Sequence, residues 1–436
     1  MPVERQIKEV THTMKYGLLG EKLSHSYSPE LHALLGQKDY TLFEVAPEEL
    51  ESFMKTADFD GINVTVPYKK AVIPYLDSLS EEAKTAGSVN VIVKKEDGTL
   101  FGDNTDTAGF DAMLRFHNVK PEHKKVLILG SGGAAGAVRT VMERKGAECI
   151  TVSRTGEVNY ENVVLLHADA DIIVNATPVG MYPENGKCPI DISPFENLFC
   201  VIDLIYNPER TVLVLSAEDR GIKAFGGMYM LAAQAALAEK IFTGREYGEK
   251  EIFRAYNTLR NKVRNIVFIG MPGSGKTVIG RRLAHILHRP FADVDSIIEA
   301  SEGRSIPDIL EKDGEEDFRR METEYTAKTC QEKGQVISTG GGVVTREENR
   351  NLLRMNSVVI YLIRPTKSLT LRGRPISNSR PIEELAQERI PLYKKWADVK
   401  ILNGGINPTI GEIIRFMHLK PAQTKERNGK NENPHN

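Results

Sequence analysis

Two glycine-rich segments, each directly following a short apolar run, constrain this chain more than any other feature. Val126-Leu-Ile-Leu129 leads into Gly130-Ser131-Gly132-Gly133-Ala134-Ala135, and Asn265-Ile-Val-Phe-Ile269 leads into Gly270-Met-Pro-Gly273-Ser274-Gly275-Lys276-Thr277. In the first, glycine permits a tight turn and close backbone approach to a pyrophosphate. The helix that follows offers unpaired N–H groups and partial positive charge. The second fits G-x-x-x-x-G-K-[ST]: backbone N–H groups cradle phosphates, the lysine reaches β and γ oxygens, and the hydroxyl ligates Mg2+. Strand, glycine loop and helix in that order predict α/β folding, with a dinucleotide site and a triphosphate site on one chain.

At 436 residues the chain has room for about three domains of ~150 residues each. An apolar fraction of 41% beside 27% charged residues leaves ample material for cores. The net charge of −2 gives no basic field, which argues against nucleic-acid or anionic-membrane partners and makes any anion binding local. Cys149, Cys188, Cys200 and Cys330 lack C-x-x-C spacing, against a disulfide framework or a zinc site and in keeping with a reducing compartment. No apolar run approaches the ~20 residues that span a bilayer. The first residues lack the apolar centre of a signal peptide. A cytoplasmic, soluble protein is expected; oligomeric state is not legible.

Residues 1–14 read as a polar leader. Apolar runs at Tyr16–Leu19, Thr41–Val45 and Gly61–Val66 alternate with helical patterns near Pro29–Leu35 and Glu48–Lys55, predicting a mostly parallel sheet over 15–106. A second α/β unit over 107–226 has strands at 126–129, 149–152, 171–175 and 200–204, with a helix over Gly136–Lys145. Helices over Met230–Phe242 and Glu249–Val263 then complete the first unit through 227–263. Only Arg264 precedes the strand opening the third unit, 264–418, and no Gly/Ser- or Pro-rich linker intervenes. The tail, 419–436, has too little apolar side chain to order itself.

A dinucleotide site for NAD carries an acid near the end of the second strand, about 20 residues after the glycines, to bind ribose hydroxyls. Here the position reads Ser153-Arg154-Thr155. A guanidinium with two hydroxyls suits a 2′-phosphate, so NADP is expected over NAD. After the second glycine loop comes a helix over Val278–Leu287, and no apolar strand ending in aspartate is evident. Asp293-Val-Asp295 supplies one carboxylate for Mg2+ and another for an acceptor hydroxyl.

Further segments run in order: Ser24-His-Ser26-Tyr-Ser28-Pro29, Asn63-Val-Thr65-Val-Pro67-Tyr-Lys69, Gly87-Ser-Val-Asn90, Gly102-Asp-Asn104-Thr-Asp106, Asn175-Ala-Thr177-Pro and Gly227-Met-Tyr-Met230-Leu-Ala-Ala-Gln234. With the Gly130 loop and Ser153-Arg-Thr155, they make Lys15 to about Val263 resemble shikimate dehydrogenase. Reducing a ketone needs a hydride on carbon and a proton on the developing alkoxide. Lys69 and Asp106 are the charged candidates, the lysine as proton donor and the carboxylate as its orienter. The resemblance implies that Ser26 and Ser28 hold a substrate carboxylate. It gives the ring hydroxyls to Thr65, Lys69, Asn90, Asp106 and Gln234, with Tyr206 assisting. It adds Gly130 to Ala135, Ser153, Arg154, Thr155, Thr177, Leu204 and Gly227 as the NADP site. The histidines lack metal-ligand spacing and read as structural. The family often has a small residue where Tyr229 stands.

From Asn265 to about Met417 the chain resembles shikimate kinase. Besides the phosphate loop it has Asp293-x-Asp295, Gly314-Glu-Glu-x-Phe318-Arg319, Gly340-Gly341-Gly342, Arg374-Pro375 and Glu388-Arg389-x-Pro391-Leu-Tyr393. The resemblance implies that Asp295 orients the acceptor hydroxyl, that Arg319 and Arg389 clamp a carboxylate, and that the glycine triplet lies against the substrate. ATP would be held by Gly273, Ser274, Gly275, Lys276, Thr277 and Val278, with Thr277 and Asp293 at the metal. Arg374 would belong to a lid over 372–379. The fold expected is a two-domain dehydrogenase, an α/β substrate domain plus a Rossmann NADP domain, followed by a P-loop α/β/α domain like the nucleoside-monophosphate kinases. The expected function is NADPH-dependent reduction of 3-dehydroshikimate to shikimate, then Mg·ATP-dependent phosphorylation to shikimate 3-phosphate. The alternatives are a quinate- or shikimate-oxidising dehydrogenase fused to another small-molecule kinase, and a metabolite-sensing regulator.

Overall fold

The computed structural model describes residues 14–24, 26–369 and 381–419. The leader, His25, the lid segment with Arg374 and the tail beyond 419 lie outside the described residues. The chain divides into two compact units, one ending at Arg260 and the other beginning at Asn261.

The first unit contains two sheets. One comprises β1 (Tyr16–Gly20), β2 (Tyr40–Glu44), β3 (Gly61–Val64), β4 (Ser78–Leu79), β5 (Val91–Lys94) and β6 (Leu100–Asp103), in the order β2-β1-β3-β5-β6-β4. β1 is parallel to β2 and β3, as the alternation with helices Ser28–Leu35 and Leu50–Thr56 predicts. The sheet is mostly parallel, as expected, with β4 also parallel to β6; the exception is β5, which is antiparallel to both β3 and β6. The signal was local: Asp97-Gly98 sits between β5 and β6, Gly98 takes φ +84°, and its N–H bonds to Lys95 O at 2.9 Å. A left-handed glycine lets the chain double back within five residues or so, where a parallel connection needs a dozen or more.

The other sheet is wholly parallel: β7 (Lys125–Leu129), β8 (Glu148–Val152), β9 (Ile172–Asn175), β10 (Cys200–Asp203) and β11 (Lys223–Phe225), ordered β11-β10-β9-β7-β8. β7 reads as an unbroken apolar run because both faces are covered, Val126 and Ile128 in one core and Leu127 and Leu129 in another. The chain leaves β7 sideways to β8 and returns on the opposite side to β9. That reversal opens a crevice at the carboxyl end of β7, where such sheets bind ligands. The following helix spans Gly133–Arg144, starting earlier than expected because Gly132 itself is its N-cap. Helix Met228–Thr243 buries five alanines, and Gly109 of helix Thr105–Phe116 approaches it so closely that a Cβ there would lie 2.9 Å from Gln234 Cβ. Tyr229 is buried and stacks on Phe116 at 3.9 Å between centroids, part of an aromatic cluster with Tyr256.

The second unit has one parallel sheet: β12 (Asn265–Ile269), β13 (Phe291–Asp293), β14 (Val336–Ser338), β15 (Ser357–Ile363) and β16 (Val399–Leu402), ordered β13-β14-β12-β15-β16. Alternate residues of β12 enter opposite cores: Val267 and Ile269 with Trp396, and Ile266 and Phe268 with Leu283. The strand ending in aspartate that the sequence did not disclose is β13. It has three residues and closes on Asp293, too short for periodicity to reveal. Among the described residues, no helix is long and apolar enough to cross a membrane.

Two candidate active sites

Asn104 caps helix Thr105–Phe116, its Oδ1 accepting from the Asp106 N–H at 3.0 Å. Asp106 thus stands in the first turn, where free N–H groups favour a carboxylate. Its Oδ1 accepts from Asn90 Nδ2 at 2.9 Å, and its Oδ2 pairs with the Lys69 ammonium. The Asp106 side chain is 7% exposed and that of Lys69 18%, so the pair is largely withdrawn from water while the ammonium keeps an opening. Asn90 is held in turn, its Oδ1 accepting from Thr105 N at 2.7 Å. Gln234 reaches the group through Thr105, Oε1 to Oγ1 at 3.4 Å.

Ser26, Ser28 and Tyr206 form a second cluster. The serine hydroxyls are 3.2 Å apart, and Tyr206 hydrogen-bonds Ser26. Burial pushes the Tyr206 hydroxyl above its ordinary range, with the Ser26 bond opposing. Thr65 directly follows β3, its Cγ2 2.8 Å from where a Cβ on Gly20, the last residue of β1, would stand. Of the histidines, His32 is buried against Glu239 at 2.5 Å, and burial together with Lys223 and Arg260 lowers His117 to about 4. No group of three or more potential metal-ligating side chains occurs among the described residues.

The dinucleotide loop fits its proposed cofactor. A Cβ on Gly132 would meet open space, leaving the backbone accessible to a pyrophosphate. A Cβ on Gly133 would lie 3.5 Å from Lys69 Cβ and 3.0 Å from Ser88 Cβ, so the helix start abuts the Lys69–Asp106 pair. Ser153, Arg154 and Thr155 follow the end of β8, and Arg154 is exposed. On the other side of β7, Thr177 Oγ1 donates to Asn175 Oδ1 at 2.7 Å, and its methyl lies 2.9 Å from a Gly130 Cβ position. Gly227 packs on the main chain of Leu204 too tightly for any side chain.

In the second unit, Lys276 folds over its own loop, Nζ donating to Gly270 O at 2.9 Å and Met271 O at 3.2 Å. The loop depends on glycine conformations at Gly273 (φ +80°) and Gly275 (φ +99°). Thr277 Oγ1 donates to Asp293 Oδ2 at 2.8 Å and lies 3.3 Å from Ser338 Oγ. A hydroxyl beside a carboxylate suits Mg2+, which keeps several waters and takes few protein ligands. Asp293 also caps helix Val294–Glu302, placing Asp295 in its first turn. Asp295 Oδ1 lies 2.8 Å from a Gly340 Cβ position, and a Gly342 Cβ would fall within the Arg319 guanidinium. Arg389 Nη1 donates to Gly341 O at 3.3 Å. Asp295, Arg319 and Arg389 therefore converge on the glycine triplet. Burial pulls the Arg319 guanidinium down, but Glu322 and Glu315 outweigh it and hold the group above its ordinary value.

Several residues at these sites were not read from the sequence. Glu322 accepts from Arg319 Nη1 at 2.6 Å, and its spacing three residues along helix Glu315–Gln331 was a usable signal. Ser338, at the end of β14, preceded the triplet visibly. Asn403 braces the phosphate loop through Ser274 O at 2.7 Å, a contact between distant segments with no local signal. Arg364, which donates to Gly273 O at 3.2 Å, is of the same kind.

Comparison with known proteins separates the two units. The family model described as shikimate dehydrogenase substrate binding domain matches residues 18–92, and that described as shikimate kinase matches 272–418. A shikimate dehydrogenase (NADP(+)) of Clostridium beijerinckii is 37% identical over 271 residues, covering 57% of this chain and 99% of that protein. A crystal structure of a chorismate mutase/shikimate 5-dehydrogenase fusion protein from Clostridium acetobutylicum is 35% identical with a TM-score of 0.53, covering 57% of this chain and 98% of that one. The Thermus thermophilus shikimate 5-dehydrogenase in complex with NADP(H) and shikimate is 30% identical with a TM-score of 0.51, covering 56% and 99%. With these matches ahead of the phosphate loop and a kinase family model behind it, the chain belongs to the shikimate dehydrogenase family and carries a shikimate kinase domain at its C-terminus.

Proposed function

We propose that the chain performs two consecutive reactions on one cyclohexene acid: reduction of 3-dehydroshikimate to shikimate with NADPH, then phosphorylation of shikimate with Mg·ATP. The observation that carries the reading is the Lys69–Asp106 pair set beneath the dinucleotide helix start, on the same chain as two arginines aimed at a glycine triplet beside a phosphate loop.

In the first site, Ser26 and Ser28 hold the substrate carboxylate, while Thr65, Asn90 and Gln234 take ring hydroxyls with Tyr206 beside them. Gly130–Ala135 would hold the pyrophosphate of NADPH, Ser153–Thr155 its 2′-phosphate, and Thr177, Leu204 and Gly227 its other end; the bound cofactor would supply the hydride. Lys69 donates a proton to the ketone oxygen as negative charge develops there, and Asp106 keeps the ammonium aimed. In the second site, Arg319 and Arg389 grip the carboxylate and Asp295 orients the acceptor hydroxyl. Lys276 exchanges the carbonyls of Gly270 and Met271 for phosphate oxygens, a swap of partners that needs no rebuilding of the loop. Thr277 and Asp293 would hold Mg2+, which would neutralise charge on the β and γ phosphates. A depression of about 870 Å3 lined by Thr277, Val278, Arg281, Arg282, His285 and the 406–407 segment has room for base and ribose. Arg374 would close over the triphosphate.

The domains proposed are 15–106 with 227–263 for the dehydrogenase substrate, 107–226 for NADP and 264–418 for the kinase, in a cytoplasmic protein. The test is to assay NADPH oxidation with 3-dehydroshikimate, and ADP formation with shikimate, on Lys69→Ala and Lys276→Ala. Each variant should lose one activity by ~10²-fold or more and keep the other. Loss of both activities from either change contradicts independent sites.

A further inference from the structure

Asp203 ends β10 with no solvent exposure, and among the described residues no cationic side chain pairs with it. Its charge is met by neutral donors alone. Oδ1 accepts from Asn175 Nδ2 at 3.0 Å and from Ile205 N at 3.0 Å, and Oδ2 accepts from Thr211 Oγ1 at 2.7 Å. Asn175 passes the constraint on: its Oδ1 accepts from both the N–H and the hydroxyl of Thr177, at 3.0 and 2.7 Å. Thr177 abuts Gly130, while one residue beyond Ile205 stands Tyr206, bonded to Ser26. One carboxylate therefore ties together two loops, one touching the dinucleotide turn and the other the serine cluster. They flank the place where the reactive end of a dinucleotide would meet a substrate.

We infer that Asp203 is a positioning residue of the dehydrogenase, setting the Asn175–Thr177 and Leu204–Tyr206 loops to receive the nicotinamide end of NADPH. The inference rests on the dehydrogenase reading above. Cutting the hub leaves Asn175 Nδ2 with only its 3.3 Å bond to Val179 O and the Ile205 N–H without an acceptor in a buried setting, so both loops are pressed to move to replace the lost bonds. A neutral carboxamide of the same shape does not cut it: its oxygen keeps the Asn175 and Ile205 donors, and its NH2 faces a hydroxyl that can turn to accept.

The experiment compares Asp203→Ala with Asp203→Asn in the full chain, measuring the KM for NADPH in 3-dehydroshikimate reduction and NADPH binding by its fluorescence. D203A should raise both KM and Kd about tenfold, while D203N stays within about threefold of wild type. Loss of folded material alone lowers kcat and leaves KM and Kd where they were. Both constants unchanged in D203A, or raised equally in D203N, overturn the inference. If D203A does not fold, Asn175→Ala, which leaves Asp203 its Ile205 and Thr211 donors but removes its link to Thr177 together with the Asn175–Val179 bond, must reproduce the rise, and normal constants there overturn it. Failure of wild type to turn over 3-dehydroshikimate would defeat the dehydrogenase reading instead, while the fluorescence measurement would still decide the role of Asp203.

Discussion

At the residue scale, the same carboxylate makes stability depend on pH. Burial pushes Asp203 up to about 6, against the Thr211, Ile205 and Asn175 bonds that oppose the shift, from an ordinary value of 3.8. The folded state then binds the proton more tightly than the unfolded chain. The stabilisation from the protonated form is fully present below pH 3.8 and is lost as pH rises through about 6. Asp203→Asn removes this term, so its stability relative to wild type should increase by up to about 3 kcal/mol between pH 4 and pH 7. Urea titrations at both pH values check this; a difference that shrinks with rising pH would contradict the assignment. The Lys69–Asp106 pair, the proposed acid-base group, was legible: both stood out as the charged members of ordered motifs. Asp203 did not. An aspartate at a strand end looks like any turn residue until the fold surrounds it with donors from three segments.

At the element scale, glycine governs what fits in the kinase site. Gly342 lies so close to the Arg319 guanidinium that Gly342→Ala must displace the arginine, which is itself held by Glu322 and Glu315. The KM for shikimate should rise about tenfold or more while that for ATP stays within about twofold, because a 1 Å misplacement at a binding group is costly. Equal rises in the two constants, from steady-state kinetics with each substrate varied, would place the triplet elsewhere. The triplet and both long glycine loops were readable because glycine is informative where a chain needs positive φ or close approach. β13 and the β5–β6 hairpin were not: three residues carry no period, and the reading followed strand-helix alternation past the Asp97-Gly98 turn. Helix ends followed the apolar pattern to within a residue, whereas helix starts shifted where glycines served as caps.

At the scale of the whole molecule, the helix Glu249–Val263 runs across the division between units, and its end belongs to the second. Val263 O accepts from Gly334 N at 2.9 Å, Arg264 O accepts from Arg289 Nη1 at 2.9 Å, and Asn261 O also accepts from Arg289. A fragment beginning at Asn261 should therefore keep kinase activity. One beginning at Asn265 should be less stable by about 1–3 kcal/mol, since Arg289 and Gly334 lose buried partners. Thermal melts of the two fragments decide this, and equal midpoints would mean those bonds contribute nothing. In the sequence, an amphipathic helix here meets an unbroken apolar strand, which is why a boundary is expected at 263–264.

The central claim is that one chain makes shikimate and then consumes it. The direct measurement supplies 3-dehydroshikimate, NADPH and Mg·ATP to the purified Lys69→Ala variant and follows ADP. No ADP should form until shikimate is added, and addition should restore the wild-type rate. ADP forming from 3-dehydroshikimate without NADPH oxidation, or none forming after shikimate is supplied, would contradict the account.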